Sequence, residues 1–192
     1  SAVVRFNTDG ALDTSLGGTG IVITPICFGF WAVAIQPDGK IVVVGIAATG
    51  TFGVVRYNPN GSLDTSFNGS GSVTTLVDPS GIQPSLVAMH PDEKILVAVD
   101  NGSNTVLVRF NSNGSLDTTF NSNGIVIQSA VASSLAVQAD GKIIVIGQSR
   151  GVFSGDLAVL RYNSNGSLDT SFNGSGIVTT QIGDAGSGAT DL

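Results

Sequence analysis

The chain alternates short apolar runs with stretches of turn-forming residues. Runs such as Ile41–Val44 and Ile143–Ile146 are apolar at every position, and the segments between runs are rich in Gly, Asn, Asp and Ser. None of the runs has the 3.6-residue periodicity of an amphipathic helix. Short runs bounded by turn residues predict β-strands, and continuous apolarity predicts strands that are buried on both faces. The pattern therefore predicts an all-β protein.

A turn-rich phrase recurs four times and sets the period of this pattern. The phrase reads RYNPNGSLDTSFNGSG from Arg56; its copies begin at Arg5, Arg56, Arg109 and Arg161, which are 51, 53 and 52 residues apart. A second phrase, QPDGKIVVVG, recurs between them as HPDEKILVAV and QADGKIIVIG. Each period holds four apolar runs. Four antiparallel strands per period of about 40–55 residues are typical of a β-propeller blade.

We predict that residues 1–192 form a partial β-propeller of four-stranded antiparallel blades. The predicted blades span residues 21–57, 73–110 and 125–162, with the last strand of a preceding blade at 1–7 and the first strand of a following blade at 177–182. In this frame, the long phrase connects the last strand of one blade to the first strand of the next. We expect the chain to be part of a longer propeller; the alternative is a small ring whose two ends share one blade.

The charged residues of the long phrase are predicted to be structural. Its NPNG and NSNG segments favour turns, because Asn and Gly accept a left-handed backbone. The Asp after the turn is expected to accept backbone N–H bonds or to pair with the Arg of its phrase, while the Leu and Phe fill the gap between blades. The residues given this structural role are Arg56, Asp64, Arg109, Asp117, Arg161 and Asp169.

The two phrases together resemble the delta-60 repeat family of bacterial β-propellers. The resemblance covers nearly the whole chain, since both phrases recur in order at the right period. It implies a propeller within a large secreted or surface-exposed bacterial protein. It implies no known enzymatic activity and no assigned ligand, and it therefore leaves the function open.

Composition narrows the classes of partner. Only 11% of the residues are charged, and the net charge is −6. Because there is no basic patch, nucleic acid is not an expected partner. No apolar run approaches the ~20 residues of a membrane helix, so membrane insertion is not expected. The single cysteine, Cys27, is expected to be buried rather than to act as a free reactive thiol. Solubilisation by neutral polar residues is common in extracellular β-proteins.

The titratable residues do not form a recognisable catalytic set. The one histidine, His90, stands where other repeats have Gln, so we interpret it as a polar residue at a strand end. One His and one Cys nearly exclude a zinc site. The sequence NPNGSLD resembles part of a calcium loop, but Arg56 takes the first ligand position, which favours a simple turn. We expect no enzyme activity, no cofactor and no metal.

The loops that differ between repeats are the candidate binding surface. Propeller loops alternate between two ends, and divergent loops on a fixed scaffold are where recognition usually occurs. The candidate ligand or partner residues are Phe28, Phe30, Trp31, Asp78, Asp100, Arg150, Phe153 and Asp156. Phe28, Phe30 and Trp31 form an aromatic cluster in one variable loop with Cys27, and this cluster either stacks on a sugar or holds a partner protein, or contacts a neighbouring blade.

The function predicted from these features is a non-catalytic binding or structural scaffold in a secreted or cell-surface bacterial protein. Its expected partner is a protein or a glycan at the variable loops, the rest of a longer propeller, or another chain. The alternatives are a carbohydrate-binding propeller face, an assembly component whose incomplete blades are completed by another chain, and, least favoured, a propeller hydrolase or lyase.

Overall fold

The computed structural model of the chain describes residues 1–48, 51–77, 83–149 and 156–181. Within these ranges the backbone forms fourteen β-strands and no helix, which confirms the all-β prediction. The strands fall into two units, residues 1–82 and residues 83–192. Each unit holds two antiparallel sheets.

The first unit contains a two-stranded and a four-stranded sheet. Its strands are β1 (Ala2–Val4), β2 (Ile21–Ile23), β3 (Gly29–Ile35), β4 (Ile41–Ala48), β5 (Thr51–Tyr57) and β6 (Ser72–Leu76). Strand β1 pairs with β2, and the larger sheet has the order β3-β4-β5-β6. Each strand of the larger sheet therefore pairs with the strand that follows it in the sequence.

The second unit contains two four-stranded sheets. Its strands are β7 (Gln83–Met89), β8 (Ile95–Asp100), β9 (Thr105–Phe110), β10 (Ile125–Gln128), β11 (Ala130–Val137), β12 (Ile143–Ser149), β13 (Leu157–Tyr162) and β14 (Ile177–Thr180). Strands β7 to β10 form one meander and strands β11 to β14 form the other.

The sheets do not group the strands as the predicted blades do. Each four-stranded sheet begins and ends one strand later in the sequence than the corresponding predicted blade. The strand after each long phrase pairs with the strand before it, as β6 does with β5, so the phrase lies within a sheet. The four-stranded sheets span residues 29–76, 83–128 and 130–180, in place of the predicted 21–57, 73–110 and 125–162. The phrase cannot cross between sheets because its backbone bonds fold it back: Arg56 N–H donates to Gly71 O at 2.9 Å, and Asp64 N–H donates to Arg56 O at 2.9 Å.

Within each unit, the crossing between the two sheets is made by the variable segment that precedes the first strand of the second sheet, which is residues 24–28 in the first unit. In the second unit this crossing is Ser129 alone, between β10 and β11. The long phrase and the PDGK-type turn do lie at the same end of each sheet, since Lys40 Nζ of the turn is 3.6 Å from Asp64 Oδ2 of the phrase. We call this end the repeat end, and the opposite end, with the crossings, the variable end.

The middle strands β4, β5, β8 and β9 are buried on both faces, as their uninterrupted apolar sequences predict, whereas β12 and β13 of the last sheet contain both buried and half-buried residues. Every residue from Ile95 to Val99 in β8 and from Thr105 to Phe110 in β9 is buried. In the second unit, Leu96 and Leu107 of one sheet pack with Val145 and Leu160 of the other. In the first unit, β4 and β5 pack in the same way against the two-stranded sheet.

The first strand of each four-stranded sheet carries a bulge at the same register position, and a close backbone approach accompanies it at Gly45 of β4 and at Gly147 of β12. The register of β3 shifts between Phe30 and Ala32, with Gly45 opposite Phe30. A Cβ on Gly45 would clash with the carbonyl oxygen of Gly29 and would lie 3.2 Å from the Cβ of Cys27. Only glycine fits this position without moving the backbone.

We therefore expect Gly45→Ala to lower the free energy of unfolding by about 1–3 kcal/mol, because the added methyl group overpacks the bulge. The matched control is Gly29→Ala, whose new Cβ would have its nearest neighbour, Trp31 Nε1, at an ordinary 3.7 Å. Urea denaturation of both variants measures the difference. Equal effects of the two substitutions would contradict the close approach at Gly45.

Candidate functional site

The residues that the sequence repeats most faithfully meet at the repeat end of each sheet. Arg56 is near the end of β5, and Asp64 follows the NPNG turn, so the hairpin places the two side chains together. The Nε atom of the Arg is 2.7 Å from the Asp Oδ2 in all four copies of the phrase. The hairpin therefore explains why the Arg and the Asp of each phrase are eight residues apart in the sequence.

The second oxygen of each Asp accepts hydrogen bonds from the hydroxyl residue two positions later. Asp117 Oδ1 accepts from Thr119 Oγ1 at 2.6 Å and from the Thr119 backbone N–H at 3.0 Å. Ser15, Ser66 and Ser171 make the same pair of bonds in the other copies. These bonds explain why the phrase reads LDTS or LDTT. Both interactions expected of the aspartates, backbone bonds and an Arg pair, are present.

The guanidinium group also lies over an aromatic ring of its own phrase. The Cζ atom of Arg109 is 4.4 Å from the centre of the Phe120 ring, and Arg56 and Arg161 lie 4.7 and 4.6 Å from Phe67 and Phe172. A planar cation at this distance is attracted to the face of the ring. The Phe of the phrase therefore supports the arginine as well as filling space.

The lysine of the short turn completes the charge balance. Lys94 Nζ is 2.8 Å from Asp92 in its own turn and 3.5 Å from Asp117 in the phrase. Lys142 approaches Asp169 at 3.1 Å. The repeated Arg, Lys and Asp residues thus neutralise one another locally.

The environment of the buried Asp stabilises its charged form. Burial raises the pKa of Asp117, but the bonds from Thr119 and the Arg109 charge lower it by more, so this pKa is below its usual value. Burial likewise raises the pKa of Asp64, but the bonds from Ser66 and the Arg56 charge lower it by more, so it too is below its usual value.

In each unit, the Nη1 group of the first phrase arginine connects its repeat to the next repeat. Arg5 Nη1 donates to the carbonyl oxygen of Pro59, in the turn of the next phrase, at 2.7 Å. Arg109 Nη1 donates to the equivalent carbonyl of Ser164. Beside each bond, a backbone N–H donates to the following turn residue at 2.8 Å, from Gly17 to Asn60 O and from Asn121 to Asn165 O. We call this set of contacts the phrase joint.

The aromatic candidates lie in the first unit and are only partly a loop cluster. Phe28 precedes β3, whereas Phe30 and Trp31 lie within β3, which corrects their placement in a variable loop. Phe28 is 84% exposed and Trp31 is 55% exposed. Phe30 and Trp31 line a cleft of about 270 Å³ beside β1. Phe28 is not part of its lining.

Sequence reasoning missed the rest of this cleft. It is lined by Ala2, Val3 and Val4 of β1 and by Ala32, Val33 and Val43 of the neighbouring sheet. Large residues alternate with alanines along Trp31–Ile35, and the large ones are exposed. That alternation was the available signal for a strand with one uncovered apolar face. In the second unit, the matching face of β11 is covered by the neighbouring sheet, since Leu135 and Val137 pack on its core.

The remaining candidates are distributed along the chain. Asp100 ends β8, and its Oδ1 accepts the Gly102 N–H at 2.6 Å, which is a turn contact. Asp156 is half-buried just before β13. Asp78, Arg150 and Phe153 lie outside the described residues. Among the predicted binding residues that lie in the described ranges, only Phe30 and Trp31 share a cleft.

His90 and Cys27, the one histidine and the one cysteine of the chain, are both largely buried. The His90 side chain is 10% exposed, and its Nδ1 is 2.5 Å from Asp92 Oδ1. Cys27 is a free, buried thiol whose pKa is raised by burial, as expected from the sequence. Among the described residues, no group of three His, Cys, Asp or Glu side chains could hold a metal ion. No helix in the same ranges is long and apolar enough to cross a membrane.

Comparison with known families gives one match, to the β-propeller domain of unknown function DUF5122. The match covers residues 1–16, 36–67, 90–120 and 138–172, which is more than half of the chain. These ranges contain the second phrase and the first twelve residues of each long phrase, and they leave out residues 17–35, 68–89 and 121–137. No curated protein matches the chain.

Solved structures with a similar fold have low sequence identity to the chain. A protein of unknown function from Bacteroides caccae is 17% identical, with 83% of this chain and 53% of that chain covered and a TM-score of 0.50. A catalytically inactive virginiamycin B lyase from Staphylococcus aureus with quinupristin is 8% identical, with 88% of this chain and 46% of that chain covered and a TM-score of 0.49. A gluconolactonase from Xanthomonas campestris is 16% identical, with 85% of this chain and 52% of that chain covered and a TM-score of 0.44. The chain spans about half the length of these proteins, and at such identities the likeness concerns the fold alone.

The buried Arg109–Asp117 pair gives a pH-dependent prediction. Because removing one partner leaves a buried charge unpaired, we expect Asp117→Asn to lower the free energy of unfolding at neutral pH by about 3–5 kcal/mol. A carboxylate with a lowered folded pKa contributes stability above its unfolded pKa of about 3.9, and this contribution is lost as the pH falls through the folded value. The difference between the parent chain and the variant should therefore shrink below about pH 4.

Urea denaturation across a pH series measures this difference. Asp9→Asn is the matched control, because Asp9 is exposed in its turn and the equivalent residues of the other phrases are Asn. A loss at Asp117→Asn that is the same at pH 3 as at pH 7 would contradict the proposed role of the charge.

Proposed function

The chain belongs to the DUF5122 β-propeller family, and we propose that it is a non-catalytic binding scaffold from a secreted or cell-surface bacterial protein. The observation that carries the proposal is the use of the repeated charges. In every copy of the phrase, the Arg and Asp that a catalytic site could have used are tied to each other and to neighbouring backbone. The delta-60 resemblance of the repeats and the low charged fraction support the proposed location.

The part of the scaffold that binds a partner is the cleft beside β1. Strand β1 pairs with β2 on one edge, and its other edge has no strand partner among the described residues. The wall opposite is apolar and includes Trp31 and Val33. A free strand edge next to an apolar wall suits an extended polypeptide, which gains main-chain hydrogen bonds and places alternate side chains in the cleft. The occupant we propose is therefore a protein segment in β conformation, supplied by another chain or by residues that precede this sequence in a longer protein.

A carbohydrate-binding face is the second candidate. It is favoured by the high exposure of Phe28 and Trp31, because exposed aromatic rings stack on sugars. Sugar sites also need converging polar groups for orientation. The side chains that line the cleft are all apolar apart from the indole N–H, so the peptide is the better fit.

We expect the fluorescence of Trp31, the only tryptophan in the chain, to report binding directly. The probe is a synthetic peptide of residues 93–100, because β8 pairs with β9 and β9 is the repeat equivalent of β1. Binding should shift the Trp31 emission to the blue as the ring leaves water. A panel of neutral oligosaccharides tests the second candidate by the same signal.

Two variants separate the candidates. Val33→Lys places a charge in the cleft and should weaken peptide binding at least tenfold, whereas Phe28→Ala, outside the cleft, should leave it unchanged. If sugars alone shift the emission, and Phe28→Ala abolishes that shift, the carbohydrate function replaces the peptide function. An emission spectrum unchanged by either class of ligand would overturn both.

A further inference from the structure

We infer that Asn101 is a site of self-catalysed modification, at which the side-chain amide becomes a carboxylate through a cyclic imide formed with the backbone nitrogen of Gly102. The site is the turn between β8 and β9, at the variable end of its sheet. It lies in the second unit, so the inference is independent of the cleft beside β1 and of what binds there.

The sequence offers six equivalent candidates for this chemistry. The backbone nitrogen that follows an asparagine can attack the side-chain amide, and glycine favours the attack because it has no Cβ to hinder a close approach. The triplet Asn-Gly-Ser begins at Asn60, Asn68, Asn101, Asn113, Asn165 and Asn173. Since the three residues are the same in every case, only the folded structure distinguishes one site from another.

At Asn101 the structure brings a base to the attacking nitrogen. The Gly102 N–H donates a hydrogen bond to Asp100 Oδ1 at 2.6 Å. A carboxylate at this distance from the proton that it must remove meets the geometric requirement for a general base. Asp100 is therefore placed to activate the Gly102 nitrogen.

The same turn places two donors on the oxygen that becomes negative during the attack. Asn101 Oδ1 accepts the backbone N–H of Ser103 at 3.1 Å and that of Asn104 at 2.7 Å. Preorganised N–H groups around a developing oxyanion stabilise the tetrahedral intermediates of acyl transfer. The base, the attacking nitrogen, the amide and the oxyanion donors are thus all supplied by residues 100–104.

Three of the other triplets, at Asn60, Asn113 and Asn165, lack the base. The Gly61 N–H donates to the backbone carbonyl of Asn58 at 2.8 Å, and the glycines of the other two triplets make the same bond. A backbone carbonyl is too weak a base to remove the proton, so the bond holds the nitrogen unreactive. The side-chain oxygens of these asparagines do accept hydrogen bonds, which leaves the carboxylate as the missing element.

The remaining two triplets are restrained at the nitrogen that must leave. Asn68 Nδ2 donates to the carbonyl oxygen of Ser72 at 2.8 Å, and Asn173 Nδ2 donates to that of Ile177 at 3.0 Å. Within the described ranges, no carboxylate accepts the N–H of the glycine that follows either asparagine. Conversion at these two sites should therefore also be slower than at Asn101.

The reaction balances with water as its only co-reactant. Asp100 takes the proton of the Gly102 nitrogen as that nitrogen forms a bond to Asn101 Cγ. The proton then leaves with Nδ2 as ammonia when the Cγ–Nδ2 bond breaks, and a cyclic imide remains. Water opens the imide at either carbonyl and leaves aspartate or isoaspartate at position 101. Both products add negative charge to the variable end, and isoaspartate also lengthens the backbone of the turn.

The test is incubation of the folded 192-residue chain at neutral pH in water enriched in heavy oxygen, followed by proteolysis and mass spectrometry. The heavy oxygen marks each asparagine that was converted during the incubation, and fragmentation identifies isoaspartate. We expect Asn101 to convert at least tenfold faster than Asn60, Asn113 and Asn165. In concentrated urea, where the turns are lost, the four identical triplets should convert at similar rates.

Asp100→Asn tests the base directly, because the amide oxygen still accepts the Gly102 N–H but does not remove its proton. We expect conversion of Asn101 to slow at least tenfold in this variant. The matched control is Glu93→Gln, which removes the same charge from an exposed residue outside the turn and should leave the rate unchanged. Circular dichroism identifies a variant that does not fold; Asp100→Ser then replaces Asp100→Asn.

Two results would each overturn the inference. One is a folded parent chain in which Asn101 converts no faster than the asparagines of the repeated turns. The other is a folded Asp100 variant that converts as fast as the parent chain.

Discussion

The ion pair between the phrase arginine and the aspartate eight residues later is the contact on which the rest of the fold depends. A single guanidinium group uses Nε for the Asp of its own hairpin, Nη2 for a neighbouring hydroxyl group and Nη1 for the turn of the next repeat. Its face rests on a Phe ring in three of the copies. Lysine has one point of charge and no planar fork, so it could not make these contacts together. This demand explains why the chain repeats a turn-rich phrase almost letter by letter.

The pattern of apolar runs was sufficient to predict the strands but not their grouping into sheets. Ile95–Val99 are apolar throughout and all buried. Ile144, in the equivalent run of the last sheet, is only half-buried, so burial also depends on the neighbouring sheet. Pairing depends on which way the chain turns between strands. The phrase was long enough to be taken for a crossing, and only its internal bonds, such as Asp64 N–H to Arg56 O, show that it is a hairpin. Ser129, a crossing of one residue, carries no sequence signal that distinguishes it from a tight turn.

The candidate cleft shows a second limit of sequence reasoning. Trp31 and Phe28 stand out as aromatic residues in a variable segment, whereas Val33 and Ala2 look like ordinary strand residues. Whether an apolar strand face is covered depends on the neighbouring sheet, which is a long-range property. Leu135 and Val137 on the equivalent face of β11 are partly buried against the core of the second unit, whereas Val33 and Ile35 at the same repeat positions are exposed.

The phrase joint also determines how the molecule loses its structure. Each joint links a repeat only to the one that follows it, through contacts such as Arg109 to Ser164 and Asn121 to Asn165. In such an array, cooperativity is a nearest-neighbour property. The two repeats that share a joint should therefore lose their structure together, so that damage to one phrase arginine is felt in the neighbouring repeat as well as in its own.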